Sequence, residues 1–174
     1  MVKQLSDPNL SDADRKLLSD IQDHGWHVVK VLGEFPEWAF TVGLHQTHKH
    51  PEIVLFGLPP DLMHHMLNEI GSDIAGGQSL ETGKRYDSYL ENVDVAFQPV
   101  HNNWYNPLLG FARWYYGGSD FPVFQCCWPD MDNNLPWDDN FNSTLFDRHP
   151  LLYESTAELS HLGPVLDGMG EHDA

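Results

Sequence analysis

The sequence predicts an α+β fold, a largely antiparallel sheet with helices packed against it in a single domain. Three observations lead there. Two adjacent segments alternate apolar and polar residues on either side of a Gly/Pro turn, the pattern of an antiparallel hairpin. Helical spacing appears between strand-like segments without the strict βαβ alternation of a doubly wound sheet. No repeat or linker divides the 174 residues, a length that one core accommodates without disulfides or a structural metal.

Taken in order, Ser11-Asp12-Ala13-Asp14 starts a helix, with Ser11 as cap and the acids at the positive end of the helix dipole. Leu17, Leu18 and Ile21 continue at helical spacing until Gly25 stops it. Trp26 to Leu32 reads as a strand, with Trp26, Val28, Lys30 and Leu32 on one face and His27, Val29 and Val31 on the other. Gly33 to Glu37 is a turn, and Trp38 to Leu44 is the partner strand. Glu52 to Leu58 is a third, mostly buried strand. Pro59-Pro60-Asp61 opens a helix whose stripe is Leu62, Met63, Met66, Leu67 and Ile70, closed by Gly76-Gly77. A short extended stretch near Ser79 and Leu80 leads to Lys84-Arg85-Tyr86, and Val93 to Phe97 alternates as a further strand ending at Pro99.

Asn103 to Tyr116 reads as one helix bearing Trp104, Tyr105, Phe111, Trp114, Tyr115 and Tyr116. Phe121 to Trp128 is an apolar strand, Asp130 to Asn134 a turn, and Leu135-Pro136-Trp137 the start of a return. The domain is expected to span residues 1–154. Residues 155–174, rich in glycine and acids and without periodicity, are expected to form a mobile acidic tail.

Composition narrows the function classes. Nine basic residues against 26 acidic ones give a net charge of −17, which excludes a nucleic-acid backbone as the expected partner, since phosphate contacts need clustered Lys and Arg. An acidic surface attracts basic partners or cations. No run approaches the roughly 18 apolar residues of a membrane span, and Met1 to Asp7 has no signal-peptide core. The adjacent Cys126 and Cys127 would point to opposite faces of a strand, the usage expected in a reducing cytoplasm. A cytoplasmic location follows as the expectation.

The run His45-Gln46-Thr47-His48-Lys49-His50-Pro51-Glu52 joins two strands. A loop held at both ends can fix its side chains in space. His45, His48 and His50 could ligate zinc with Glu52 supplying an oxygen, though their spacing lacks the i, i+4 pair of a zincin helix. In the plainer reading they are polar loop residues, with His50 and Glu52 bonded to neighbouring backbone, and no cofactor is expected. His64 and His65 flank their helix stripe and cannot both face one point. The cysteines lie mid-strand, where a thiolate is not stabilised. There is no Gly-x-Ser-x-Gly elbow, P-loop or Gly-x-Gly-x-x-Gly element. Asp130-x-Asp132-x-Asn134 fails the EF-hand pattern, with Phe141 at the twelfth position, and reads as a turn.

Gly25-Trp26-His27-Val28-Val29, Phe40-Thr41-Val42-Gly43-Leu44 and His50 to Pro59, followed by Tyr115-Tyr116-Gly117, Phe121 to Gln125, Trp128-Pro129-Asp130 and Leu135 to Asp138, appear in that order. Over roughly residues 24 to 152 the chain resembles a bacterial family catalogued as domain of unknown function 4262. The resemblance implies no activity. His24 stands where it leads one to expect Tyr.

The functional expectation is a binding domain for a small ligand or a protein partner. Its site would be formed by Thr41, His45, His50 and Glu52, with Gln125, Trp128, Asp130, Trp137 and Asp138 converging from the second half, where the resemblance lies. In the plainer version those polar groups satisfy one another and hold the halves together. Two alternatives belong to other classes. One is a metal-dependent hydrolase, with His45, His50 and a helix histidine binding zinc and Glu52 as general base on the metal-bound water. The other is an acidic inhibitor or immunity-type protein that neutralises a basic partner. Oligomeric state is not legible.

Overall fold

The computed structural model describes residues 1–154, and the expected acidic tail lies outside them. Helix α1 (Asp12–His24) is followed by strands β1 (His27–Val31) and β2 (Trp38–Val42), the short helix α2 (Leu44–His48), strand β3 (Glu52–Phe56) and helix α3 (Pro60–Ala75). Strands β4 (Arg85–Leu90) and β5 (Val93–Pro99), helices α4 (Tyr105–Leu108) and α5 (Gly110–Tyr116) and strand β6 (Val123–Cys127) complete the regular structure, with 3-10 turns at Asn102–Trp104 and Ser143–Asp147.

The six strands form one sheet in the order β1-β2-β3-β6-β5-β4, antiparallel throughout except for the parallel pair β3–β6. The fold is therefore α+β and mostly antiparallel. Side-chain alternation along the strands divides the core in two. Val29, Trp38, Phe40, Val54 and Phe56 pack with α1, α4 and α5. Val28, Ala39, Ile53 and Leu55 pack with Met63, Met66, Leu67 and Ile70 of α3. Among the described residues no helix is long and apolar enough to cross a membrane.

Helix α1 begins and ends as its sequence dictates. The Ser11 hydroxyl accepts from the Asp14 N–H at 3.1 Å while the Asp14 carboxylate accepts from the Ser11 N–H at 2.8 Å, a reciprocal cap. Gly25, at φ 99°, ends it. Ser11→Ala is expected to cost about 1 kcal/mol, read as a lower urea midpoint at unchanged slope.

Four sequence expectations are corrected. The loop from His45 is in part a helical turn, α2, because the Gly43, Leu44 and His45 N–H groups find a shared acceptor described below. Arg85–Leu90 is a full strand, β4. The expected helix Asn103–Tyr116 is broken at Leu109 (φ −122°, ψ 42°). Gly110 at the junction lowers the helix propensity there, and the Leu108 carbonyl accepts from Trp38 Nε1 at 3.1 Å. Leu135–Trp137 forms no return strand. The Asp130 carboxylate gathers the N–H groups of Asp132, Asn134 and Asn142 at 2.9 to 3.0 Å, folding this segment round a side chain rather than along a ladder.

Candidate functional site

Glu52 opens β3 with its side chain buried, 1% exposed. Its Oε2 accepts from the Thr41 hydroxyl at 2.6 Å and the Leu44 N–H at 3.3 Å. Its Oε1 accepts from the Tyr116 hydroxyl at 2.5 Å, the Gly43 N–H at 2.7 Å and the His45 N–H at 3.3 Å. The three N–H groups belong to the first turn of α2, where helix geometry leaves donors without intrahelical partners. Gly43 stands at φ 111°, and a Cβ there would meet the Gly25 carbonyl and Ile21 at 2.9 Å. Only glycine lets the chain turn into α2 so close to α1. Thr41 and Tyr116 are themselves held, since each hydroxyl also accepts an N–H, from Ile53 at 2.9 Å and Gln46 at 3.2 Å respectively.

Burial pushes the Glu52 carboxyl above the usual range, while the bonds from Thr41, Tyr116, Gly43 and His45 pull it back. Burial and then the Glu52 charge push the Tyr116 hydroxyl up, so it remains a donor. Chemically this centre joins β2, α2, β3 and α5. Every one of its five donors is already directed at the carboxylate.

The histidines do not share this point. His45 reaches Glu52 only through its backbone, and its ring meets Tyr116 edge-on, 6.0 Å between centroids. His48 lies against Trp26, 6.5 Å away. His50 is turned toward Phe124, 6.1 Å away, with its Nε2 accepting from the Leu80 N–H at 3.0 Å. Burial lowers the His50 pKa, which keeps the ring a neutral acceptor. Among the described residues no group of three or more His, Cys, Asp and Glu side chains is placed to hold a metal ion.

The second-half residues are likewise apart from Glu52 and spent on the fold. Gln125 donates to the Pro150 carbonyl at 2.7 Å and accepts from the Leu152 N–H at 3.0 Å. Trp128 donates to the Phe56 carbonyl at 2.6 Å, tying β3 to the end of β6. Asp138 accepts from the Leu135 N–H at 2.8 Å and from Arg85 at 3.2 Å. Asp130 holds its own loop, and Trp137, 39% exposed, lies edge-on to Tyr153. Cys126 and Cys127 are free and buried, and burial pushes both thiols up, away from nucleophilic use.

Sequence reasoning missed Tyr116 and His149. His149 is 0% exposed, stacked on Trp128 at 4.5 Å, with Nε2 3.1 Å from both the Trp128 N and the Trp128 carbonyl oxygen. One signal was present: His50-Pro51 and His149-Pro150 are both His-Pro pairs, and in each the imidazole meets backbone polar groups of a distant segment.

A concave surface lies elsewhere. A groove of about 1020 Å³ runs beside β1, between the start of α1 and the α4–α5 region. Leu32, Phe111, Trp114, Lys30, Arg113 and Glu34 are among its walls, with Trp38 and Phe40 beneath. Leu32 and Phe111 are exposed, as is Phe35 at the adjoining hairpin tip. β1 is a sheet edge, pairing with β2 through five consecutive residues in unbroken register. The opposite edge, β4, carries a register shift between Tyr86 and Leu90 and exposes Arg85, Asp87 and Ser88, devices that discourage further strand pairing.

A model of the family described as Domain of unknown function (DUF4262) matches residues 20–142, well over half the chain. No curated protein and no solved structure matches.

Proposed function

We propose that this chain, which belongs to the family described as Domain of unknown function (DUF4262), is a binding module. It takes up an extended polypeptide along the free edge of β1. The observation that carries the reading is the coincidence of an unbulged edge strand with the groove beside it. In strand addition the backbone edge supplies hydrogen bonds, and a neighbouring apolar groove takes alternate side chains. Leu32 and Phe111 give that groove exposed apolar walls. The Glu52 centre serves the site indirectly, by fixing β2 and α5 on either side of the groove floor.

A fluorescein-labelled heptapeptide of alternating Val and Thr tests this by fluorescence anisotropy. Saturable binding is expected, with hydrogen-exchange protection gained over residues 27–31. N-methylation of alternate peptide amides should weaken binding about tenfold or more, since each ladder bond contributes roughly 0.5–1.5 kcal/mol. Leu32→Ser and Phe111→Ser should also weaken it. Equal binding of the N-methylated peptide would rule out strand addition.

A further inference from the structure

We infer that the segment taken up on β1 is basic, with Lys or Arg alternating with apolar residues. The inference rests on the strand-addition reading above and names the chemistry of the occupant. An added strand would project alternate side chains toward the two faces of the sheet. On the groove side its neighbours include Asp14 of α1 and Glu34 in the β1–β2 turn. Among the described residues neither of these carboxylates is in an ion pair.

The cations nearby are already engaged. Lys30 lies 3.9 Å from Asp61. Arg113 donates to Ser119 at 3.0 Å and to Asn106 at 2.5 Å. Lys3 sits over the Trp114 ring, 5.6 Å from its centroid. An incoming Lys therefore meets carboxylates without cations, whereas an incoming Glu meets cations that already have partners. The net charge of −17 adds a long-range field of the same sign, which speeds the encounter with a basic chain and repels an acidic one. The exposed Leu32, Phe35 and Phe111 supply the complementary apolar positions.

Three labelled heptapeptides, alternating Val with Lys, with Thr or with Glu, separate the claims. Affinity is expected to fall in that order. The Lys peptide should lose most of its advantage between about 0.01 M and about 0.15 M salt, as the screening length shortens. Glu34→Gln should weaken the Lys peptide by up to about fivefold, the range of an exposed ion pair, Glu34→Lys should weaken it further, and both should leave the Thr peptide unchanged. Glu34 is exposed, so the variants keep the core intact. Equal affinity for the Lys and Glu peptides, or a Lys preference that neither variant reduces, overturns the charge inference while strand addition stands. Saturable binding of none of the three overturns both.

Discussion

Glu52→Ala is expected to lower the stability of this domain by about 3–5 kcal/mol, the loss typical of removing one partner from a buried charged network. Five donors converge on one carboxylate, and three of them are main-chain N–H groups that cannot turn elsewhere. A buried donor left without an acceptor costs roughly 1–3 kcal/mol. The sum is limited by relaxation, because α2 can unwind and rehydrate Leu44 and His45. Small domains have only about 5–15 kcal/mol in total, so a large fraction is at stake. Urea unfolding followed by tryptophan fluorescence measures the loss. Tyr116→Phe removes one donor and leaves the carboxylate four others, so it should cost about 1.5–3 kcal/mol. If Glu52→Ala comes within about 1 kcal/mol of the parent chain, the carboxylate is not the joint between the hairpin and α5.

That joint also marks how far the sequence could be read. The hairpin β1–β2 and helix α3 were legible because each buries one regular face, which writes a period of 2 or 3.6 into the residues. β4 was not, since an edge strand is polar on much of both faces, and Arg85-Tyr86-Asp87-Ser88 carries no alternation. The break at Leu109 depends on where the freed Leu108 carbonyl finds a donor, Trp38, 70 residues away. Thr41 and Glu52 meet because antiparallel pairing of β2 and β3 brings them close. Their other partners were invisible for two reasons. Main-chain N–H groups have no residue identity, and Tyr116 looks like core in an aromatic helix. The loop histidines drew attention by number alone. Number does not set direction, and the α2 turn sends His45 and His48 to different neighbours.

Acid should destabilise the protein before most of its carboxylates titrate, and His149 is the main cause. Burial pulls its pKa down to about 4, with bonds to the Trp128 and Pro150 backbone opposing. An unfolded imidazole titrates near 6.5. Between those values the unfolded chain binds the proton and the folded chain does not, so stability is full above pH ~6.5 and falls as pH drops toward ~4. The difference corresponds to a loss on the order of 3 kcal/mol. His50, also lowered by burial, adds in the same direction. Glu52, raised by burial, opposes them, because the folded state gains its proton first. Urea unfolding at a series of pH values from about 7.5 to about 4 reads the slope. His149→Gln keeps both a donor and an acceptor for the Trp128 backbone and cannot titrate, so it should flatten most of the slope even if it costs stability at neutral pH. An unchanged slope in that variant would place the acid sensitivity elsewhere and leave the buried imidazole as mere packing against Trp128.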